Sequence, residues 1–254
     1  MKVRAIIAPV LLIAALVGLW QAWAQISHAP EYLLPAPSAI VAALIANAAL
    51  LIGSAWRTLA MSLEALAAAS LFAGALALAV SLSQTLDRAV RPIAVALQVT
   101  PVVAIAPLFV IWAGVDHPTR AIVALAAIVA FFPVFSGTAR GLASADPDLE
   151  RLFDLYGAGR VQRLFRLHLP SAVPFIVEGA KVASGLAIIG AVVAEWVAGS
   201  GGAQGLAWRI LEAGNRLETA KMFAAILVLA IMAAGVHLAF LFLERQALAW
   251  WRGR

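Results

Sequence analysis

The chain has 254 residues, 64% of them hydrophobic and 12% charged, with a mean hydropathy of +0.97. A domain of this size with a water-facing surface needs about a quarter of its residues charged, so an ordinary soluble domain is excluded and the surface faces lipid. The net charge of +5 is spread between apolar runs, which points to membrane topology and away from nucleic acid, and the absence of cysteine removes disulfides, thiolate metal sites and a thiol nucleophile.

A hydrocarbon core about 30 Å thick takes about 20 helical residues to cross. Six apolar runs of that order follow along the chain, at residues 5–26, 58–82, 92–114, 121–139, 172–198 and 222–243, together 138 residues. They are continuously apolar and rich in Ala and Leu, without the alternation of a barrel strand. An all-α integral membrane protein is predicted, with residues 1–254 forming one transmembrane domain of six helices. The first run has Lys2 and Arg4 ahead of it and Ala22-Trp23-Ala24 near its end, as a cleavable signal has. It exceeds the roughly 7–15 apolar residues of such a signal and is read as a retained helix.

The basic residues sort by side. With the N-terminus inside, twelve Lys and Arg fall in inner segments and five in outer ones, while Lys181 lies within a span. This asymmetry places both termini in the cytoplasm, and Trp250 and Trp251 beside Arg252 fit an interfacial anchor at the last exit.

The connections differ in content. Residues 27–57, outside, contain Leu34-Pro35-Ala36-Pro37-Ser38 and an apolar stretch over 39–52. That stretch is too short to cross and is read either as a helix lying flat at the interface or as a packed, re-entrant segment. Residues 83–91 and 115–120 are short and join antiparallel neighbours. Residues 141–170, inside, are longer and patterned.

Asp146-Pro147-Asp148 supplies a cap, a first-turn proline and an acid at the positive helix end, so a helix begins there. Leu149, Leu152, Phe153 and Tyr156 then share one face, interrupted by Gly157-Ala158-Gly159. A second piece puts Val161, Leu164, Phe165 and His168 at the same spacing, with Arg160, Arg163 and Arg166 pointing elsewhere and Leu169-Pro170 as its end. Such a pair of amphipathic helices needs a partner for its apolar stripe: the lipid surface, the protein's own helix ends or another protein.

Polar residues within spans are functional candidates because they are costly there. Glu178 and Lys181, three apart, can pair on one helix face and are read as a structural salt bridge or a snorkelling lysine in preference to a substrate contact. Glu64 and Glu195 are candidates for the pathway or its gate, against interfacial or helix-end acids. Pro101, Pro107 and Pro133 interrupt the third and fourth runs, where broken backbone lines cavities or merely kinks. Gly199, Gly201, Gly202 and Gly205 follow a membrane helix instead of a strand, and no Gly-Lys-Ser/Thr occurs, so they read as an outer turn and not as a phosphate loop. His28, His117, His168 and His237 are scattered and form no His-Glu-x-x-His. From these residues alone an ion-driven carrier and an integral-membrane enzyme remain open.

Tyr156-Gly157-Ala158, with Leu169-Pro170 beginning twelve positions after Gly157, resembles the cytoplasmic EAA loop of ABC importer permeases. The resemblance implies that Leu152, Phe153, Tyr156, Gly157, Ala158, Val161, Leu164, Phe165, Leu169 and Pro170 belong to a coupling helix docked on an ATPase subunit. The loop's usual glutamate and two alanines correspond to Arg151, Leu152 and Phe153, a reversal of charge, and Glu150 stands one place out of register. Leu34-Pro35-Ala36-Pro37-Ser38, Ala106-Pro107-Leu108-Phe109, Phe131-Phe132-Pro133-Val134 and Gly190 through Glu195 are similar to the nitrate, sulfonate and taurine permeases. The stretches around Ala194–Gly202 and Leu206–Gly214 look most like permeases for thiamine-precursor pyrimidines or riboflavin. The resemblance implies the type I ABC importer permease fold in a bacterial inner membrane and a permease homodimer. It further implies two ATPase subunits that bind ATP and Mg, a separate substrate-binding protein, and neither cofactor nor catalytic residue in this chain.

Overall fold

The computed structural model describes residues 2–27, 30–114, 116–198 and 202–253, and all regular structure among them is helical. His28, Val115 and the predicted turn's Gly199, Ser200 and Gly201 lie outside these residues. Eleven α-helices and one π-helical turn follow in order: α1 Lys2–Ile26, α2 Pro37–Ala46, α3 Ala48–Ser81, α4 Gln84–Val99, α5 Val102–Ala113, α6 Pro118–Leu142, α7 Pro147–Leu155, α8 Arg160–Arg163, the π turn Leu164–His168, α9 Leu169–Ala198, α10 Leu206–Asn215 and α11 Thr219–Arg252. Among the described residues four helical runs are long and apolar enough to cross a bilayer: α3, α6, Arg160–Ala198 and most of α11. The bent pair α4 and α5 qualifies together as a fifth, and α1 contributes a shorter apolar stretch over Val10–Ile26.

Several helices depart from the predicted runs for local reasons. The third run is not one straight span: α4 and α5 meet at 99°, because Thr100 leaves helical geometry and Pro101 has no N–H to continue the ladder. Pro107 and Pro133, by contrast, lie inside α5 and α6, which run on through them. Residues 84–91 form the start of α4 instead of a connection, since the Ser83 hydroxyl accepts the Leu86 N–H and Asp87 pairs with Arg91 at 2.6 Å one turn on. The apolar stretch 39–52 is divided at Asn47, whose side-chain amide folds back to donate to the Ala43 carbonyl at 2.8 Å and closes α2. The remainder opens α3, ten residues before the predicted start.

The chain separates into two compact units, Met1–Trp56 with Gln204–Ile231, and Arg57–Ala203 with Met232–Arg254. In the first, Gln21 of α1 and Ser38 of α2 exchange two hydrogen bonds of 3.1 and 3.0 Å, and Trp20 meets the Phe223 ring with centroids 5.9 Å apart. Leu51 and Leu206 are fully buried there. The Arg209 guanidinium donates to the Ser54 hydroxyl and to Glu212, at 3.1 and 2.8 Å.

The second unit is organised around α6 and α9, which touch backbone to backbone. A Cβ on Gly137 would sit 2.8 Å from the Phe175 carbonyl oxygen, and one on Gly179 equally close to that of Pro133. Only glycine permits this approach, and with Ala126, Ala130, Ala183, Ala187 and Ala191 buried beside it the pair is as tight as small residues allow. Lys181 pairs across to Glu244 of α11, 2.9 Å from both carboxylate oxygens, and Glu178 is left exposed. The predicted Glu178–Lys181 pair is therefore corrected. Spacing along one helix permitted it, but a half-buried carboxylate on a neighbouring helix presents both oxygens to the ammonium and wins.

Candidate functional site

The segment joining α6 to α9 is built from its caps outward. The Asp146 carboxylate accepts the Asp148 N–H at 2.8 Å and Pro147 occupies the first turn, so α7 starts where the sequence places it. It ends in a Schellman turn: the Gly157 N–H donates to the Asp154 carbonyl and the Ala158 N–H to that of Phe153, both at 3.0 Å. Gly157 has φ +64°, a left-handed conformation that would cost a branched residue about 1–2 kcal/mol, and a Cβ there meets nothing within 4 Å. Backbone conformation, and not space, is what requires glycine.

Past the turn the second piece does not stop at Leu169-Pro170. α8, the π turn and α9 form one helical run, Arg160–Ala198, in which the Leu169 N–H reaches back to the Leu164 carbonyl. A proline ring clashes with the carbonyl four residues earlier, here Arg166, and the wider π turn relieves that clash.

The residues of the predicted stripe divide in two. Leu164 and Ala158 are buried, Leu164 in a cluster with Leu142 and Ala172, and Phe153, Leu169 and Pro170 are half-buried. Leu152 and Gly157 are exposed, and Tyr156, Val161 and Phe165 are strongly so, at 83%, 63% and 64%. Leu155, off the predicted stripe, is the most exposed of all at 85%. Periodicity missed it because it falls six residues after Leu149, on the flank of the face. The available apolar surface is thus Leu149, Leu152, Leu155, Tyr156, Val161 and Phe165.

Polar contacts hold the segment from within. The Arg163 guanidinium pairs with Asp154 at 2.5 Å and with Glu150 at 3.8 Å, and its Nε donates to the Ala158 carbonyl at 3.0 Å. His168 Nδ1 donates to the Leu142 carbonyl at 2.9 Å, while its Nε2 lies 3.3 Å from Glu150. Trp251 Nε1 donates to the Pro170 carbonyl at 2.7 Å, which ties the end of α11 to the start of α9. One side of this cluster borders a cavity of about 780 Å³ whose far wall includes Asp87 and Arg91.

The pathway candidates stand apart from this segment, although Glu195 lies at the far end of the same helical run. Glu64 is exposed on α3, Glu195 is buried near the end of α9, Pro101 stands at the α4–α5 bend, Pro107 is exposed on α5 and Pro133 lies against Gly179. Among the described residues no group of three or more metal-ligating side chains occurs.

Residues 68–248 match the model of the binding-protein-dependent transport system inner membrane component. The chain belongs to this family. It is a membrane-spanning permease subunit of an ABC importer, a class that works with an ATPase and a substrate-binding protein. The formylaminopyrimidine transport permease of Halalkalibacterium halodurans is 33% identical to it over 95% of both chains. A probable ABC transporter permease of Haemophilus influenzae is 32% identical over 90% of this permease and 91% of the relative. The riboflavin transport system permease of Chloroflexus aurantiacus is 32% identical over 95% and 89%. The family match contains the whole α6–α9 segment of the permease and omits α1 and α2.

Proposed function

We propose that the α6–α9 segment of this permease is its coupling element and docks, through Leu152, Leu155, Tyr156, Val161 and Phe165, in a cleft of a separate ATPase subunit. The exposed apolar face carries this reading. Burying a large side chain is worth about 1.5–3 kcal/mol, so a few of these anchors outweigh exposed ion pairs at up to about 1 kcal/mol each. The lipid surface is the weaker partner, because residues 146–168 hold four acids and four arginines, whereas helices on anionic lipid are basic.

In this reading two copies of the chain line the pathway in a bacterial inner membrane, both termini face the cytoplasm, and one segment meets each of two ATPase subunits. ATP and Mg are bound there, and this chain contributes alternating access and no covalent chemistry. A binding protein delivers the solute to the outer face. The solute is a small heteroaromatic vitamin or precursor such as a pyrimidine, supported by the two relatives named for formylaminopyrimidine and riboflavin, with sulfonates as the second class on the more distant relatives. Glu195 and the break at Pro101 belong to the pathway side of the machine.

Two measurements test this. Tyr156→Asp is expected to weaken co-purification of the ATPase by about 30-fold or more, as for a central interface anchor. Undiminished association would move the docking face elsewhere. Calorimetric titration of the cognate binding protein with pyrimidines, flavins and sulfonates decides the solute, and binding of the sulfonates alone would overturn the heteroaromatic assignment.

A further inference from the structure

α7 has no buried residue, and Phe153 is its only apolar side chain even half covered. A helix of nine residues neither forms nor stays placed by its own hydrogen bonds, so something else must position it. The polar side-chain contacts that reach it from outside converge on two side chains. Arg163 joins Glu150 and Asp154 of α7 to α8 and to the Ala158 carbonyl in the turn between them. His168, in the π turn, joins Glu150 to the last carbonyl of α6, that of Leu142. The shared carboxylate is Glu150, and all three side chains are two-thirds or more covered, so the Arg163 pairing is less screened than at an open surface, while the His168 Nε2 contact is an ion pair only with the imidazole protonated.

We infer that Glu150, Arg163 and His168 form an internal brace that fixes α7 to α6 and to the α8–α9 run, so that a push on the docking face moves α6 and α9 together. They are positioning residues: Arg163 and His168 act from beneath the exposed face. The inference rests on the docking role of the segment but concerns a different contact set. Arginine is needed at 163 because one planar fork serves two carboxylates and a carbonyl, which a lysine point charge cannot do at once.

The chain has no cysteine, so paired labels can be introduced uniquely. Spin labels at Arg151→Cys and Val182→Cys, in the permease without its ATPase, report whether α7 is fixed to α9. The parent is expected to show one narrow distance and Arg163→Gln a broad distribution. In the assembled importer, the readout is stimulation of ATP turnover by the cognate binding protein, a signal that must cross this chain. Arg163→Gln is expected to lower that stimulation about tenfold and Arg163→Lys about threefold, with ATPase co-purification and basal turnover within about twofold of the parent. If Arg163→Gln does not accumulate, the isosteric Glu150→Gln is expected to broaden the distance and lower stimulation about threefold.

A narrow distance together with unchanged stimulation in either variant overturns the brace. Loss of co-purification with a narrow distance overturns it too, and makes Arg163 a docking contact. Failure of the docking reading shows separately, as Tyr156→Asp retaining the ATPase, and leaves the label measurement to stand or fall alone.

Discussion

α7 and α10 are built alike and used differently. Each is a short amphipathic helix that ends in a Schellman turn and leads toward a long apolar helix. At α10 the Leu217 N–H donates to the Gly214 carbonyl and the Glu218 N–H to that of Ala213, the same bonds that Gly157 and Ala158 make at α7. Yet α10 buries Leu206, Ala207 and Ala213, whereas α7 buries nothing and leaves Leu155 and Tyr156 outside. Charge follows the same division. Glu212 is held by Arg209 of α10 and by Arg216 at its C-cap, while Glu150 and Asp154 of α7 are held by residues beyond the helix, Arg163 and His168, and only the exposed Asp148 pairs within it, with Arg151. Amphipathicity thus establishes that an apolar face exists, and only packing shows whether the chain covers it or leaves it for a partner.

The sharpest way to break this contrast is truncation. Leu206→Ala is expected to destabilise the protein by about 2–5 kcal/mol, measured by unfolding in detergent, because it opens a cavity. Leu155→Ala is expected to change stability by no more than about 0.5 kcal/mol, as an exposed site does. Similar costs at both positions would mean that α7 is a packed element after all.

The two turns offer a second test, of opposite sign. Gly157→Ala forces a Cβ into the left-handed region and is expected to cost about 1–2 kcal/mol. Leu217 already sits there, with φ +58° and its side chain exposed, so Leu217→Gly is expected to gain about 0.5–1 kcal/mol. Thermal midpoints of the two variants should move in opposite directions.

The smallest effect is electrostatic. The hydrogen bond from Arg209 holds the Glu212 carboxyl below its ordinary 4.5, with the charges of Arg209, Arg216 and Lys221 adding to it and burial opposing it. A carboxyl lowered in the folded state stabilises above its unfolded pKa and loses that contribution as pH falls through its folded value. Glu212→Gln should therefore be less stable than the parent at neutral pH, with the difference vanishing below 4.5. A difference that persists in acid would assign the effect to shape instead of charge.

Much of this was readable in the sequence where a local signal exists. Asp146-Pro147-Asp148 and Gly157 mark both ends of α7, and hydropathy locates the long helices. Hydropathy is blind to direction, so the 99° bend inside 92–114 escaped it even though Pro101 stood at the break. Helix α10 escapes hydropathy as well, because its ten residues carry too few apolar side chains to form a run. Arg163 pointed inward, not outward, because its partners Glu150 and Asp154 lie on another helix, and the partner of Lys181 is 63 residues away. Sequence spacing ranks neighbours on one helix, and these partners were chosen between helices.

The π turn at Leu164–His168 has a consequence for evolution and engineering. Each residue of an α-helix advances the azimuth by about 100°, and a π turn holds one extra residue per turn. Closing all five residues as plain α-helix would swing Val161 round the axis by about 100° relative to α9, whereas removing one of them as the run closes would keep the two sides nearly in phase. A single-residue deletion in this turn is expected to be tolerated better than one within α9, because the turn works as a phase setting between two faces of one continuous rod.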